Sequence, residues 1–305
     1  MEIKKLIEDY EIILKFCRLQ YDAKKWITLS LISTIIIFIL VLIISSFFIK
    51  EANLLPIAFA IATLVLSLGY PYMKKETIID SIESNFSDAL KQMADTLKAG
   101  DTYESALREV ANADYGRLSE EMEISLRRLE EGTNIDSSLR GFSERIDSKL
   151  VRRTITIILD SIKTGASLAE VLDDISEDVR DMHKLKEERK SNTQMQFLFM
   201  IAAGGIIAPI IFGEITAIMG MFSTVLSTQI NAAQAIQTKT NSDLILIITQ
   251  GYLIIEVIGS GTIMALIRDG KPNKAIIYIP ILLLTAFIVY YISVIILKIF
   301  LMGAM

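Results

Sequence analysis

The chain has 305 residues, 52% of them hydrophobic and 22% charged, and a net charge of −5. One cysteine, Cys17, and one histidine, His183, exclude a disulfide framework and the common zinc spacings, and the negative balance argues against general nucleic-acid binding. Mean hydropathy is +0.46, and the apolar excess falls in runs too long for an ordinary core, so the pattern is that of a membrane protein with one water-soluble insert.

The first predicted element, residues 2–25, is an amphipathic helix. Ile3, Leu6, Ile7, Tyr10, Ile13, Leu14 and Cys17 recur at helical spacing. It is suited to the membrane surface or to packing on the insert, with Cys17 as a packed thiol. A bilayer core needs about 20 apolar residues in helix. Five segments meet that length: residues 27–49, 54–72, 197–222, 244–267 and 275–301. Trp26, Tyr70 and Tyr72 stand at interfaces, where such rings anchor. The first segment is longer than the apolar region of a signal peptide, starts later and lacks a small-residue cleavage pattern, so it is expected to remain as an anchor.

Lys and Arg set orientation. Lys4, Lys5, Lys15, Arg18, Lys24 and Lys25 precede the first segment, and Lys74 and Lys75 follow the second. Lys184, Lys186, Arg189 and Lys190 precede the third, and Arg268, Lys271 and Lys274 lie between the last two. The opposite loops hold only Lys50 and Lys239. This predicts four regions in chain order: a cytoplasmic N-terminal helix (1–26), two transmembrane helices (27–72), a cytoplasmic insert (73–196) and three transmembrane helices (197–305), with the C-terminus outside.

The insert has no strand signal, and it repeats. Gly100, Gly132 and Gly165 lie 32 and 33 residues apart. In register around them fall Leu90, Met122 and Ile155; Leu97, Leu129 and Ile162; Tyr103, Ile135 and Leu168; Leu107, Leu139 and Leu172; and Val110, Phe142 and Ile175. A glycine that closes a periodic run is a left-handed helix cap. Thr102, Asn134 and Ser167 two residues later are N-caps, and Ser167 with Glu170 makes a capping box. Each unit is therefore helix, tight turn, helix. Three such hairpins make a six-helix bundle, and the fold class is an all-α polytopic membrane protein with five transmembrane helices.

The strings LKAGDTYESALREV, LEEGTNIDSSLRGF and IKTGASLAEVLDDI resemble the repeated turns of the type II secretion F-domain family. TGASLAEVL is the most specific of them, and the resemblance covers residues 86–220 well. The turn IRDGKPNK, residues 267–274, also resembles the loop between the last membrane helices of archaeal and tight-adherence members. That family supplies the membrane platform of type IV pili, archaella and tight-adherence systems. The resemblance implies a non-enzymatic protein of the cytoplasmic membrane that couples a hexameric secretion ATPase to the lifting of pilin subunits into a filament. Many relatives carry two F domains; this chain has one, which implies a homodimer or pairing with a second platform subunit.

The residues themselves point away from catalysis. There is no phosphate-binding loop, no GxGxxG, no HExxH and no nucleophile elbow, so neither cofactor nor metal is expected. From position 74 to 190 there are 19 Lys plus Arg and 26 Asp plus Glu. Acidic clusters are Glu120, Glu121 and Glu123; Glu130 and Glu131; and Asp173, Asp174, Glu177 and Asp178. Basic clusters are Arg127 with Arg128, and Lys149 with Arg152 and Arg153. The last flanks a helix start and is the candidate ATPase docking face; the alternative for each cluster is a solvated helix surface.

Glu214, Glu256 and Lys298 are intramembrane polar candidates, with a Glu214–Lys298 pair suggested by their depth. Gly205, Pro209, Gly213 and Ala217 form a small-residue stripe for helix packing, and Pro209 is a predicted kink. Competing functions are a secondary transporter using Glu214 and Glu256, and a non-catalytic membrane scaffold. Transporters carry their repeats among the membrane helices, whereas this repeat lies in the insert.

Overall fold

The computed structural model describes residues 2–48, 54–164, 167–227 and 232–303, and among them every regular element is helical. In chain order these are α1 (Glu2–Phe16), α2 (Ala23–Phe48), α3 (Leu55–Lys98), α4 (Tyr103–Asn112), α5 (Arg117–Glu130), α6 (Ile135–Arg145) and α7 (Lys149–Lys163). Then follow α8 (Leu168–Asn192), α9 (Gln194–Ala202), a π-turn (Ala203–Ile207), α10 (Ala208–Ser227), α11 (Ala232–Asp269) and α12 (Ala275–Gly303). Five helical stretches are long and apolar enough to cross a bilayer: Ala23–Ser46, Leu55–Lys98, Leu168–Val225, Leu244–Asp269 and Pro272–Phe300. The chain is an all-α, multi-pass membrane protein.

Contacts divide it into two compact units, Lys74–Arg189 and the pair Met1–Met73 with Lys190–Met305. The Lys74–Arg189 unit is built from the end of α3, α4 to α7, and most of α8 around one buried cluster. The register positions of the repeat supply much of that cluster. Leu90, Met122 and Ile155 are buried, as are Leu107, Leu139 and Leu172, and Val110, Phe142 and Ile175. Phe86 and Phe142 stack at its centre with ring centroids 6.1 Å apart.

The turns follow from backbone chemistry. Gly100 has φ +95° and Gly132 φ +89°. Gly100 N–H donates to Leu97 O (3.0 Å) and Asp101 N–H to Thr96 O (3.3 Å). Gly132 N–H donates to Leu129 O (2.9 Å) and Thr133 N–H to Arg128 O (3.0 Å). Both are Schellman caps, which need a residue without a Cβ at the left-handed position. Thr102 and Asn134 then cap the next helices by accepting from Ser105 N–H and Ser137 N–H. Gly165, the third expected turn, lies outside the described residues.

In the membrane-helix unit, α10, α11 and α12 pack closely. A Cβ on Gly213 would come within 2.8 Å of Tyr290 O, and one on Gly261 within 2.6 Å of Ile279 Cγ1. Tyr290 Oη donates to Thr216 Oγ1 (3.0 Å), and Gln250 Nε2 to Tyr291 Oη (2.9 Å). In the same unit, α1 folds back on α3. Pro71 lies inside α3 and has no N–H, so the carbonyl of Ser67 loses its helical donor. Trp26 Nε1 donates to that carbonyl instead, at 3.1 Å. Tyr10 Oη donates to Leu68 O (3.0 Å) and the buried Cys17 thiol to Pro71 O (3.4 Å).

Candidate functional site

The start of α7 is held by Ser148. Its Oγ accepts from Val151 N–H at 3.2 Å and donates to Glu83 Oε1 at 2.7 Å. From there the helical period turns Val151, Thr154 and Ile155 inward and Lys149, Arg152 and Arg153 outward. All three cations are exposed, and none makes an ion pair among the described residues. Other cations of the unit do: Lys75 with Asp147, Arg108 with Glu130, Arg140 with Asp136, Arg180 with Asp88 and Lys186 with Asp80. The first turn of α7 holds no acid. A helix N-terminus carries a partial positive charge, so cations there cost stability rather than add it, by about 0.3–1 kcal/mol each.

Beside them, between α6 and α7, runs a groove of about 340 Å³. Arg140, Ser143, Glu144, Arg152 and Thr156 line it over a floor of Ile155 and Leu159. The exposed Ile157 adds an apolar spot to the same outer face.

The acidic clusters behave differently. Glu121 is 3% exposed, between Arg145 Nε (2.8 Å) and Arg117 Nη2 (3.3 Å). Arg145 Nη2 also donates to Glu121 O (3.2 Å) and Ser125 Oγ (3.0 Å). This is an internal tie between α5 and α6, not a surface. Asp173 is hydrogen-bonded by Lys91 and Lys98, which hold its carboxyl below the ordinary value of 3.8. One acid of each of these clusters, Glu121 and Asp173, is thus used within the fold, while Asp174, Glu177 and Asp178 stay exposed, as does the basic start of α7.

Among the membrane residues, Gly205 meets Leu282 and Thr285 of α12, Gly213 meets its backbone, and Ala217 and Pro209 are buried. The stripe therefore serves packing within the chain. Pro209 is the second residue of α10, but α9, the π-turn and α10 run on without a break, so its missing N–H interrupts the helical bonding just ahead of it, where the π-turn lies. Glu214 lies on the exposed face of α10, and no ion pair joins it to Lys298 among the described residues. Glu256 is half-buried against the π-turn at Gly204. Sequence reasoning missed the Glu121 tie, the capping of Ser67 and the π-turn. A signal existed for the first two: Glu121 shares a helical face with Leu118 and Ser125, and Pro71 implies an orphan carbonyl four residues back. Among the described residues no three His, Cys, Asp or Glu side chains converge as a metal site.

Residues 89–216 match the family described as type II secretion system (T2SS), protein F. Over those residues the chain is similar to type II secretion system F domains. The match begins inside α3 and ends in α10, so it takes in both Schellman turns, the buried register positions and the start of α7. F domains belong to membrane platform proteins of secretion- and pilus-type systems, which are generally not enzymes. An uncharacterized protein of Methanocaldococcus jannaschii is 24% identical over 264 residues, covering 86% of this chain and 84% of that one. No solved structure matches the chain.

Proposed function

We propose that the protein is the cytoplasmic-membrane platform of a type IV pilus-like assembly or secretion machine. A hexameric ATPase docks on the Lys74–Arg189 unit, and its motion drives pilin subunits from the bilayer into a filament. The observation that carries this reading is the cluster Lys149, Arg152 and Arg153, exposed and without ion pairs among the described residues of an F domain. Complementary charge fixes the rate and register of docking. The excess of Lys and Arg in alternate loops supports an N-terminus and an insert in the cytoplasm and a C-terminus outside. One F domain per chain supports a homodimer or a second platform subunit as partner. The repeat lies in the insert rather than among the spans, which favours a platform over a secondary transporter.

The test is a pull-down of the detergent-solubilised full chain against the secretion ATPase encoded by the same organism. Wild type is expected to bind, with affinity falling as salt rises. R152E/R153E is expected to lose binding while keeping its melting temperature. Equal binding by both discards the α7 patch; no binding by either, with both proteins folded, discards the ATPase reading.

A further inference from the structure

We propose that Glu83 of α3 is the positioning residue of the basic cluster on α7: it supplies, from a neighbouring helix, the acid that the start of α7 lacks. The helix starts of the Lys74–Arg189 unit otherwise follow one pattern. α4, α5, α6 and α8 carry Glu104, Glu120, Asp136 and Glu170 in their first turns. The first turn of α7 carries no acid. Lys149 opens the helix, and Arg152 and Arg153 follow, so positive charge gathers where a helix already bears partial positive charge. An acid in that turn would pair with cations three and four residues on and take away the free charge that docking uses.

α3 meets the need from outside. Glu83 Oε1 accepts from Ser148 Oγ at 2.7 Å, and the same hydroxyl oxygen caps α7 by accepting from Val151 N–H at 3.2 Å. Arg152 N–H donates to Ser148 O at 3.1 Å, so the residue that Glu83 grips also closes the first turn. Glu83 Oε2 accepts from Lys186 Nζ of α8 at 3.2 Å, which fixes the carboxylate from its other side. The Glu83 side chain is 18% exposed, and Ser148 is buried. A bond so shielded outweighs the other tether of this turn, Lys75 to Asp147, whose carboxylate is 69% exposed.

A helix start already held in place loses less freedom when a partner docks, and the gain appears as affinity. The inference rests on the ATPase reading for what docks, and on the contact alone for what Glu83 does to α7.

The experiment uses the full chain in detergent. Hydrogen exchange over residues 149–153 reads the start of α7, and titration with the same secretion ATPase at several salt concentrations reads docking. Glu83→Ala is expected to speed that exchange about fivefold. It should weaken ATPase binding about tenfold, with the salt dependence of wild type, because the three cations remain. Ser148→Ala cuts the same bond from the other end and should do the same, and the double variant should be no worse than the worse single one. Arg180→Ala breaks the α8–α3 pair with Asp88 without touching Glu83, and should match wild type in both readouts. Wild-type exchange in Glu83→Ala overturns the inference; if that variant does not fold, wild-type exchange in Ser148→Ala does so. Faster exchange with unchanged affinity also overturns it and leaves Glu83 a structural contact, as does an equal effect of Arg180→Ala. Binding by no chain, wild type included, discards the ATPase reading, and exchange alone then decides whether Glu83 holds α7.

Discussion

Glu121 illustrates how a residue's neighbours change its meaning. In the sequence it is one of three acids close together; in the fold it is buried between Arg117 and Arg145. Removing Glu121 leaves Arg145 without its carboxylate, while Arg117 keeps Glu120 at 2.6 Å, and breaking a buried pair from one side costs more than the pair contributes. Glu121→Ala is expected to destabilise the protein by about 3–5 kcal/mol, read by denaturant unfolding. A loss under about 1 kcal/mol would mean that Arg117 and Arg145 are served by water. The helical period placed Glu121 on the inward face beside Leu118 and Ser125, but not its partner Arg145, 24 residues on. Periodicity reports which face a residue occupies; it carries no information about which distant helix lies opposite.

Turns and helix starts were the most legible elements, because their chemistry is local. A glycine followed two residues later by Thr or Asn specified the Schellman cap and the N-cap at Gly100–Thr102 and Gly132–Asn134. Gly132→Val should cost about 1–2 kcal/mol, since φ +89° is closed to a β-branched residue. A melting temperature equal to that of wild type would refute the left-handed assignment. The start of α7 predicts the opposite sign. Reversing Arg152 and Arg153 places acids just past the first turn of α7, on the positive side of the helix, so R152E/R153E should hold or slightly raise stability. A clear drop would mean that these cations stabilise the fold. Asp173 ties α8 to α3 through Lys91 and Lys98, and its folded value is depressed. Its contribution is therefore full above its unfolded value near 3.8 and is lost as pH falls through the lower folded value. Asp173→Asn should flatten part of the acid limb of stability against pH. An unchanged acid limb would remove Asp173 from the account.

At the scale of the molecule, hydropathy alone located five apolar segments, since nothing but a bilayer requires runs of that length. It did not show that the second continues as a single helix, Leu55–Lys98, through Pro71, because the bond that bridges the proline comes from Trp26 in another helix. Nor did it show the π-turn, where Gly204 and Gly205 lie close against α11 and α12 just ahead of Pro209. The loop charges make a prediction for the whole chain. In right-side-out vesicles, a protease outside should leave residues 73–196 intact, and a cysteine introduced at position 302 should react with a membrane-impermeant maleimide. Cleavage in the insert, or protection of position 302, would reverse the topology.

The Trp26–Ser67 bond also implies an order of events. Synthesis runs from the N-terminus, so Trp26 emerges before Pro71. When α3 enters the bilayer, the indole that must satisfy Ser67 is already there, and the polar gap opened by the proline need never face lipid unaided. The second helix thus brings a donor for the third before the proline of the third is made.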